Sequence, residues 1–238
     1  MAQSKVVVLY EDPYLIAVDK PADIIVHGDG TGQETLADQV GGLLRDAGRQ
    51  READELQPLQ RLDRETTGIV LFSTSKQTQA AFDQLIARRE IKKLYLAVVH
   101  GRFPAGVQTF KEPIGRDRHD SRRMRASRSG KDALTKARRI AYAPADDHGP
   151  ERSLLEVDLL TGRKHQIRVH LSNAGFPVLG DELYGHPGTG ERQRGLMLHA
   201  SEELFCHPVT GEELRIVAPY PERFELLFPR AGAAAVDS

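Results

Sequence analysis

The 238-residue chain has no tryptophan, a single cysteine and almost no net charge, with 33 Lys and Arg against 34 Asp and Glu. The lone Cys206 cannot close an intrachain disulfide or build a cysteine-rich zinc site, which fits a reducing compartment. No stretch approaches the ~20 uninterrupted apolar residues that cross a bilayer. The N-terminal apolar run is cut by Glu11, Asp12 and Pro13 and lacks a small-residue cleavage site, so it does not read as a signal peptide. Together these absences point to the cytoplasm. What is present, 39% hydrophobic residues, can fill the core of one large domain or two small ones, and the composition excludes a collagen-like or wholly disordered chain.

The neutral total hides an asymmetry. Residues 1–60 carry five Lys or Arg against eleven Asp or Glu, whereas residues 111–139 carry eleven against four. In the second segment Arg116, Arg122, Arg123 and Arg125 crowd together. Such a patch could hold a polyanion, or it could be a solvated loop, and charge alone does not choose between them.

Short runs rich in Val, Ile and Leu predict strands at Val6–Leu9, Leu15–Val18, Ile69–Phe72, Leu94–Val99, Leu154–Leu160 and Leu214–Val217. Helices are expected over Thr35–Leu44 and Lys76–Arg89, the second capped by Thr74 or Ser75, with Phe82, Leu85 and Ile86 as its apolar face. A further helical stripe, Ile167, His170, Leu171 and Ala174, ends at Gly175 as a C′ residue. The polar stretches Asp29–Leu56, Gly115–Lys131 and Asp146–Arg152 look like loops or partly ordered insertions, and Gly232–Ser238 like a frayed tail. Strands and helices do not alternate regularly, so the expected class is α+β on an antiparallel or mixed sheet. With no convincing linker or internal repeat, residues 1–230 read as a single catalytic domain and 231–238 as tail.

Gly28, Gly30 and Gly32 do not make a dinucleotide fingerprint, because Gln33 stands where a third glycine is needed, and Gly130-Lys131 lacks the rest of a phosphate loop. His165 and His170 are five apart and would not share a helix face, which argues against a metal site. The informative segment is Gln60-Arg61-Leu62-Asp63-Arg64-Glu65-Thr66-Thr67-Gly68, feeding the run Ile69–Phe72. An acid between two arginines at a turn is favoured in its ionised form and suits nucleophilic work. It equally suits a turn-former in a structural ion pair, and the residues alone leave both open.

This segment resembles the core motif of the RluA-type pseudouridine synthases, and the resemblance runs through most of the chain. Asp19-Lys20-Pro21 with Val26-His27, Lys92–Ala97, Thr161–Leu171, Gly180-Asp181 with Tyr184-Gly185, and Leu198-His199-Ala200 through Gly211-Glu212 follow in the family's order. The resemblance implies the pseudouridine synthase catalytic fold, a central mixed and mainly antiparallel sheet flanked by helices and loops. It implies Asp63 as catalytic carboxylate, Tyr95 as the aromatic that stacks on the target base, and Arg168 as the cation paired with the aspartate. Arg61 would fill the gap left by an extruded nucleotide, while Arg64, Arg116, Arg122, Arg123, Arg125, Arg163, Lys164 and His165 would contact RNA. A stacked uracil must be flipped to reach a carboxylate, and phosphate contacts help offset that cost.

No metal or redox cofactor is implied, and the expected partner is ribosomal or transfer RNA, with no membrane, no obligatory protein partner and a monomeric chain. Gln60 departs from the family's usual histidine. The resemblance begins almost at residue 1, so the small N-terminal RNA-binding domain of many relatives is expected to be absent. A silent RNA-binding module is the rival from another class. A retaining glycosidase is disfavoured because the motif around Asp63 supplies one acid where two are needed.

Overall fold

The computed structural model describes residues 6–28, 30, 32–146, 149–185 and 195–229. In chain order the first elements are β1 (Val7–Glu11), β2 (Leu15–Lys20), α1 (Leu36–Asp46), α2 (Gln50–Glu55), β3 (Gln57–Pro58), β4 (Thr67–Ser73) and α3 (Gln79–Ala87). They are followed by β5 (Lys92–His100), β6 (Val107–Phe110), β7 (Ile114–Arg116), β8 (Met124–Ala126), β9 (Thr135–Ala143) and β10 (Arg152–Leu159). The chain closes with α4 (Gln166–Asn173), β11 (Leu198–Cys206), β12 (Glu213–Val217) and α5 (Glu222–Glu225). This is the expected α+β class, and every pairing whose register is described is antiparallel. Two compact units emerge, Met1–Lys92 with Ala200–Pro219, and Lys93–His199 with Tyr220–Ser238. The expected tail, 231–238, lies outside the described residues.

In the first unit the strand order is β1-β2-β4-β11, with β3 against β4 and β12 against β11. All seven residues of β4 are buried because the strand is covered on both faces. Ile69 and Leu71 pack with Phe82 and Leu85 of α3, while Val70 and Phe72 pack with Leu36, Val40 and Leu44 of α1. A strand buried on two sides needs a continuous apolar run, which is what Ile69–Phe72 supplies. Helix α1 opens on a capping box, Thr35 Oγ1 accepting from Asp38 N at 3.1 Å and Asp38 Oδ2 accepting from Thr35 N at 2.9 Å. In the second unit β5-β10-β9-β6 form the sheet, and β7-β8 are a separate two-stranded ribbon.

Several expectations are corrected. Helix α3 starts at Gln79, and its N-cap Thr78 makes no side-chain cap bond. The Thr74 hydroxyl is engaged elsewhere, Oγ1 donating to Pro13 O at 3.1 Å, and Ser75 lies upstream of a turn closed by Thr78 N on Ser75 O. The helix expected over Thr35–Leu44 is α1, whereas the rest of the stretch expected as a loop to Leu56 contains α2, and Gly115–Lys131 holds most of the β7-β8 ribbon. Strands β6, β9 and β11 were not anticipated. Gly175 is the expected C′ residue: its φ is +86°, its N–H reaches Ser172 O at 3.0 Å, and Phe176 N reaches Leu171 O at 2.9 Å, the two bonds of a Schellman motif. Among the described residues, no helix is long and apolar enough to cross a membrane.

Candidate active site

Asp63 sits in the first unit, half-buried, where the backbone turns between β3 and β4. Thr66 N closes the turn on Asp63 O at 3.1 Å. The turn is fixed from beneath by Lys20, the last residue of β2, which is fully buried. Its ammonium donates to Arg64 O at 2.8 Å and to Pro21 O at 2.9 Å. Arg64 adds a second tie, Nε donating to Asp23 O at 3.2 Å, and Asp23 adopts φ +64° to present that carbonyl. The Asp19-Lys20-Pro21 element and the Asp63 turn, more than forty residues apart, are thus one local structure.

Two features on either side of the turn set its direction. Gln60, in place of the family's histidine, donates from Nε2 to Glu203 Oε1 at 2.6 Å, and Glu203 is a buried carboxylate on β11. Gly68 has φ +107°, and a Cβ there would run into the backbone carbonyl of Ala200. The glycine that ends the motif is therefore required by both backbone conformation and the close approach of β11.

Tyr95 and Arg168 belong to the second unit. Tyr95 is buried in the middle of β5, opposite Val157 of β10. Arg168 is buried on α4 and holds Asp181 in a bidentate pair, Nε to Oδ2 and Nη2 to Oδ1, both 2.8 Å. Asp181 Oδ1 also accepts the N–H groups of Leu183 at 2.9 Å and Tyr184 at 3.0 Å. The carboxylate is thus satisfied by four donors, which is what a charge pair this deep requires. The Tyr184 ring centre lies 5.3 Å from the Arg168 guanidinium carbon, and burial pushes the phenol up to about 12.

The residues around Arg168 in Thr161–Leu171 are struts. Gln166 Oε1 accepts from Thr161 Oγ1 at 2.8 Å and Arg163 N at 3.0 Å, while Nε2 donates to Leu134 O at 3.0 Å and Thr135 Oγ1 at 2.9 Å. His170 bridges Thr135 Oγ1 and Glu112 O, both at 2.9 Å, and desolvation holds its imidazole below the usual histidine range. It is a buried strut joining α4 to the start of β9. His165 caps α4 in the left-handed conformation, φ +57°, and its Nδ1 meets Tyr184 Oη at 2.8 Å.

The cations expected to meet RNA divide into two sets. Arg122 is clamped on Asp120 by bonds of 2.8 and 3.0 Å, which hold that carboxyl down at about 2. Arg123 lies over the Tyr184 ring, Arg163 Nε donates to Asp132 O at 2.9 Å, and His165 is buried. Arg61, Arg116, Arg125 and Lys164 are exposed. Sequence reasoning missed Lys20, Asp181, Tyr184 and Glu203 as parts of the site. Lys20, Asp181 and Tyr184 are quoted among the matching elements and Glu203 falls between the closing ones, but their partners are too far along the chain to be read locally. Among the described residues no group of three or more His, Cys, Asp or Glu is placed to hold a metal ion.

A family model described as RNA pseudouridylate synthase matches residues 14–173, from β2 through α4. The chain belongs to the RNA pseudouridylate synthase family. Among pseudouridylate synthases it is 35% identical over 216 residues to the uncharacterized RNA pseudouridine synthase YhcT of Bacillus subtilis, covering 90% of this chain and 68% of that one. It is 36% identical over 179 residues to ribosomal large subunit pseudouridine synthase D of Xanthomonas campestris, covering 75% of this chain and 51% of that one. The chain thus spans between about half and two thirds of the length of these curated relatives. The solved structure of human RNA pseudouridylate synthase domain containing 1 aligns over 91% of this chain and 84% of its own, with TM-score 0.76 and 26% identity. The resemblance drawn from the motifs is borne out at the level of family and fold, and the family activity is an isomerisation.

Proposed function

We propose that this chain isomerises uridine to pseudouridine in structured RNA, with Asp63 as the catalytic carboxylate and Tyr95 and Arg168 in the roles the family motifs imply. The reaction breaks the N1–C1′ bond and joins C5 to C1′. The C5 proton leaves and N1 acquires one, so no redox equivalent is consumed. A carboxylate can attack or deprotonate the sugar, a guanidinium keeps it ionised and oriented, and an aromatic wall retains the detached base. The target must leave its stack, at a cost of a few kcal/mol that Arg61 and the phosphate contacts offset.

The observation that carries this reading is the Asp63 turn itself, a half-buried acid in a turn whose Arg64 carbonyl is held by the buried Lys20, within the span that matches the family. Ribosomal RNA is favoured over transfer RNA: the Lys20–Gly30 stretch resembles enzymes of that kind, and relatives are named for the large ribosomal subunit. The chain acts as a monomeric cytoplasmic enzyme whose described units serve a single catalytic domain. Tritium release from C5-labelled RNA tests the activity, native protein against Asp63→Asn. Release from the native protein alone supports the reading, and equal release from both removes it. Mapping pseudouridines in a strain lacking the gene identifies the RNA.

A further inference from the structure

The β7-β8 ribbon presents a problem of support. It has only three paired positions, Ile114 with Ala126, Gly115 with Arg125 and Arg116 with Met124, and a two-stranded ribbon that short does not hold its shape in water. Yet it bears the densest set of cations in the chain, with Arg116, Arg118, Arg122 and Arg125 exposed around it. Something outside the ribbon must fix it.

Tyr184 does so at two points. Its hydroxyl accepts the backbone N–H of Met124, the first residue of β8, at 2.7 Å, and its ring lies 5.1 Å from the guanidinium carbon of Arg123. The ring packs in a buried cluster with Ile114, Ala133 and Val169, against which Met124 is placed. The other attachments of Tyr184 lead to the helix that carries Arg168. Its hydroxyl shares a hydrogen with His165 Nδ1 at 2.8 Å, and its ring faces Arg168. Its N–H donates to Asp181, the partner of Arg168, and its carbonyl accepts from Ser172 Oγ on α4 at 2.9 Å. With the phenol protonated, a hydroxyl can accept from Met124 and share its second bond with His165, so both partners are served at once.

We propose that Tyr184 is a positioning residue for RNA: it pins the arginine ribbon to α4, so that phosphates gripped by the ribbon are held in fixed register with Arg168. The inference rests on the RNA reading above, and its ligand is the phosphodiester backbone. An aromatic pin suits the task, since its ring accommodates two guanidiniums while its hydroxyl fixes a strand by its backbone, independent of side-chain rotamers.

The test uses the full-length protein, a fluorescein-labelled 30-nucleotide RNA stem-loop for binding, and C5-tritiated bulk RNA from a strain lacking the enzyme for turnover. Tyr184→Phe keeps the ring and deletes both hydroxyl bonds. It is expected to bind the stem-loop about tenfold more weakly at 0.1 M salt, as befits two lost hydrogen bonds of ordinary net strength. The slope of log affinity against log salt becomes shallower by about one to two, because ribbon cations no longer reach their phosphates together. In turnover the loss appears in KM and not in kcat. Met124→Pro, which removes the donor from the other side, reproduces the binding loss and guards against a folding defect special to position 184. Arg116→Ala/Arg125→Ala in the native background also flattens the slope, and adding Tyr184→Phe to it costs little more.

Native affinity and slope in Tyr184→Phe overturn the inference, as does a loss confined to kcat. An unchanged slope in the double arginine variant overturns it together with the RNA reading of the ribbon, while tritium release that depends on Asp63 would leave the proposed activity standing.

Discussion

Asp181→Asn removes one charge from an ion pair sealed inside the second unit. Arg168 is 2% exposed and the Asp181 side chain 0%, with two bonds of 2.8 Å between them. The asparagine oxygen can still accept from Leu183 and Tyr184, so the local turn survives, but its amide places a donor against an Arg168 nitrogen that is itself a donor. What is lost is the counter-charge of a buried guanidinium, and removing one partner of such a pair costs about 3–5 kcal/mol. For a chain of this length each kcal/mol lowers Tm by about 2–4 °C, which places the variant roughly 6–20 °C below the native protein. Circular dichroism melts at neutral pH measure this directly. The double variant Arg168→Met/Asp181→Asn removes both charges of this pair together, so its destabilisation falls short of the sum of the two single changes. Melts within about 3 °C of native for Asp181→Asn, less than 1–2 kcal/mol on the same scale, or strict additivity in the double variant, would refute the account of this pair as charge held against desolvation.

Other consequences follow from the same structure. Gly68→Ala forces a side chain into a φ of +107° against the Ala200 carbonyl and should cost at least about 2 kcal/mol in urea unfolding, where a solvent-exposed turn glycine such as Gly106 should cost less. Lys20→Met deletes the bonds to the carbonyls of Arg64 and Pro21, at about 0.5–1.5 kcal/mol each, and should reduce tritium release beyond what its melting temperature explains. The phenol of Tyr220 is raised to about 12, first by burial and then by Glu225, so its contribution to stability is complete below about pH 10 and is lost as pH rises through 12. Tyr220→Phe should therefore flatten the fall of Tm between pH 9.5 and 12; parallel curves would contradict the shift. The imidazole of His170 is lowered by desolvation, so its contribution is present above about pH 6.5 and lost as pH falls below that value. NMR titration of its ring protons checks the direction.

How much of this was legible in the sequence depended on where burial shows itself. β2, β4, β5 and β10 announce themselves as apolar runs because both of their faces, or most of their length, are buried. β9 does not, since its inward residues near the start are Thr135 and Ala137, alternating with Lys136 and Arg138 in solvent. A strand whose inner face is built from small or polar residues gives no hydrophobic period to read. β11 is hidden for a related reason: it buries His199 and Glu203 amid its apolar residues. In the site, Asp63 was legible because its neighbours in sequence are its neighbours in the motif. Lys20 was quoted only as part of a matching element, because its ammonium serves a carbonyl 44 residues away. The bond from Gln60 to Glu203 spans 143 residues, so the substitution of the family's histidine could be seen but its partner could not.

The ammonium beneath the Asp63 turn bears on the timing of an entropic cost. Because Lys20 holds the Arg64 carbonyl in the free protein, the dihedral freedom of residues 63–66, of the order of 1–2 kcal/mol per residue, is surrendered when the chain folds and not when a polynucleotide arrives. On the proposed function, an incoming strand would meet a rigid acid, leaving its contacts to act on its own distortion, where a reaction on an everted nucleotide would need them.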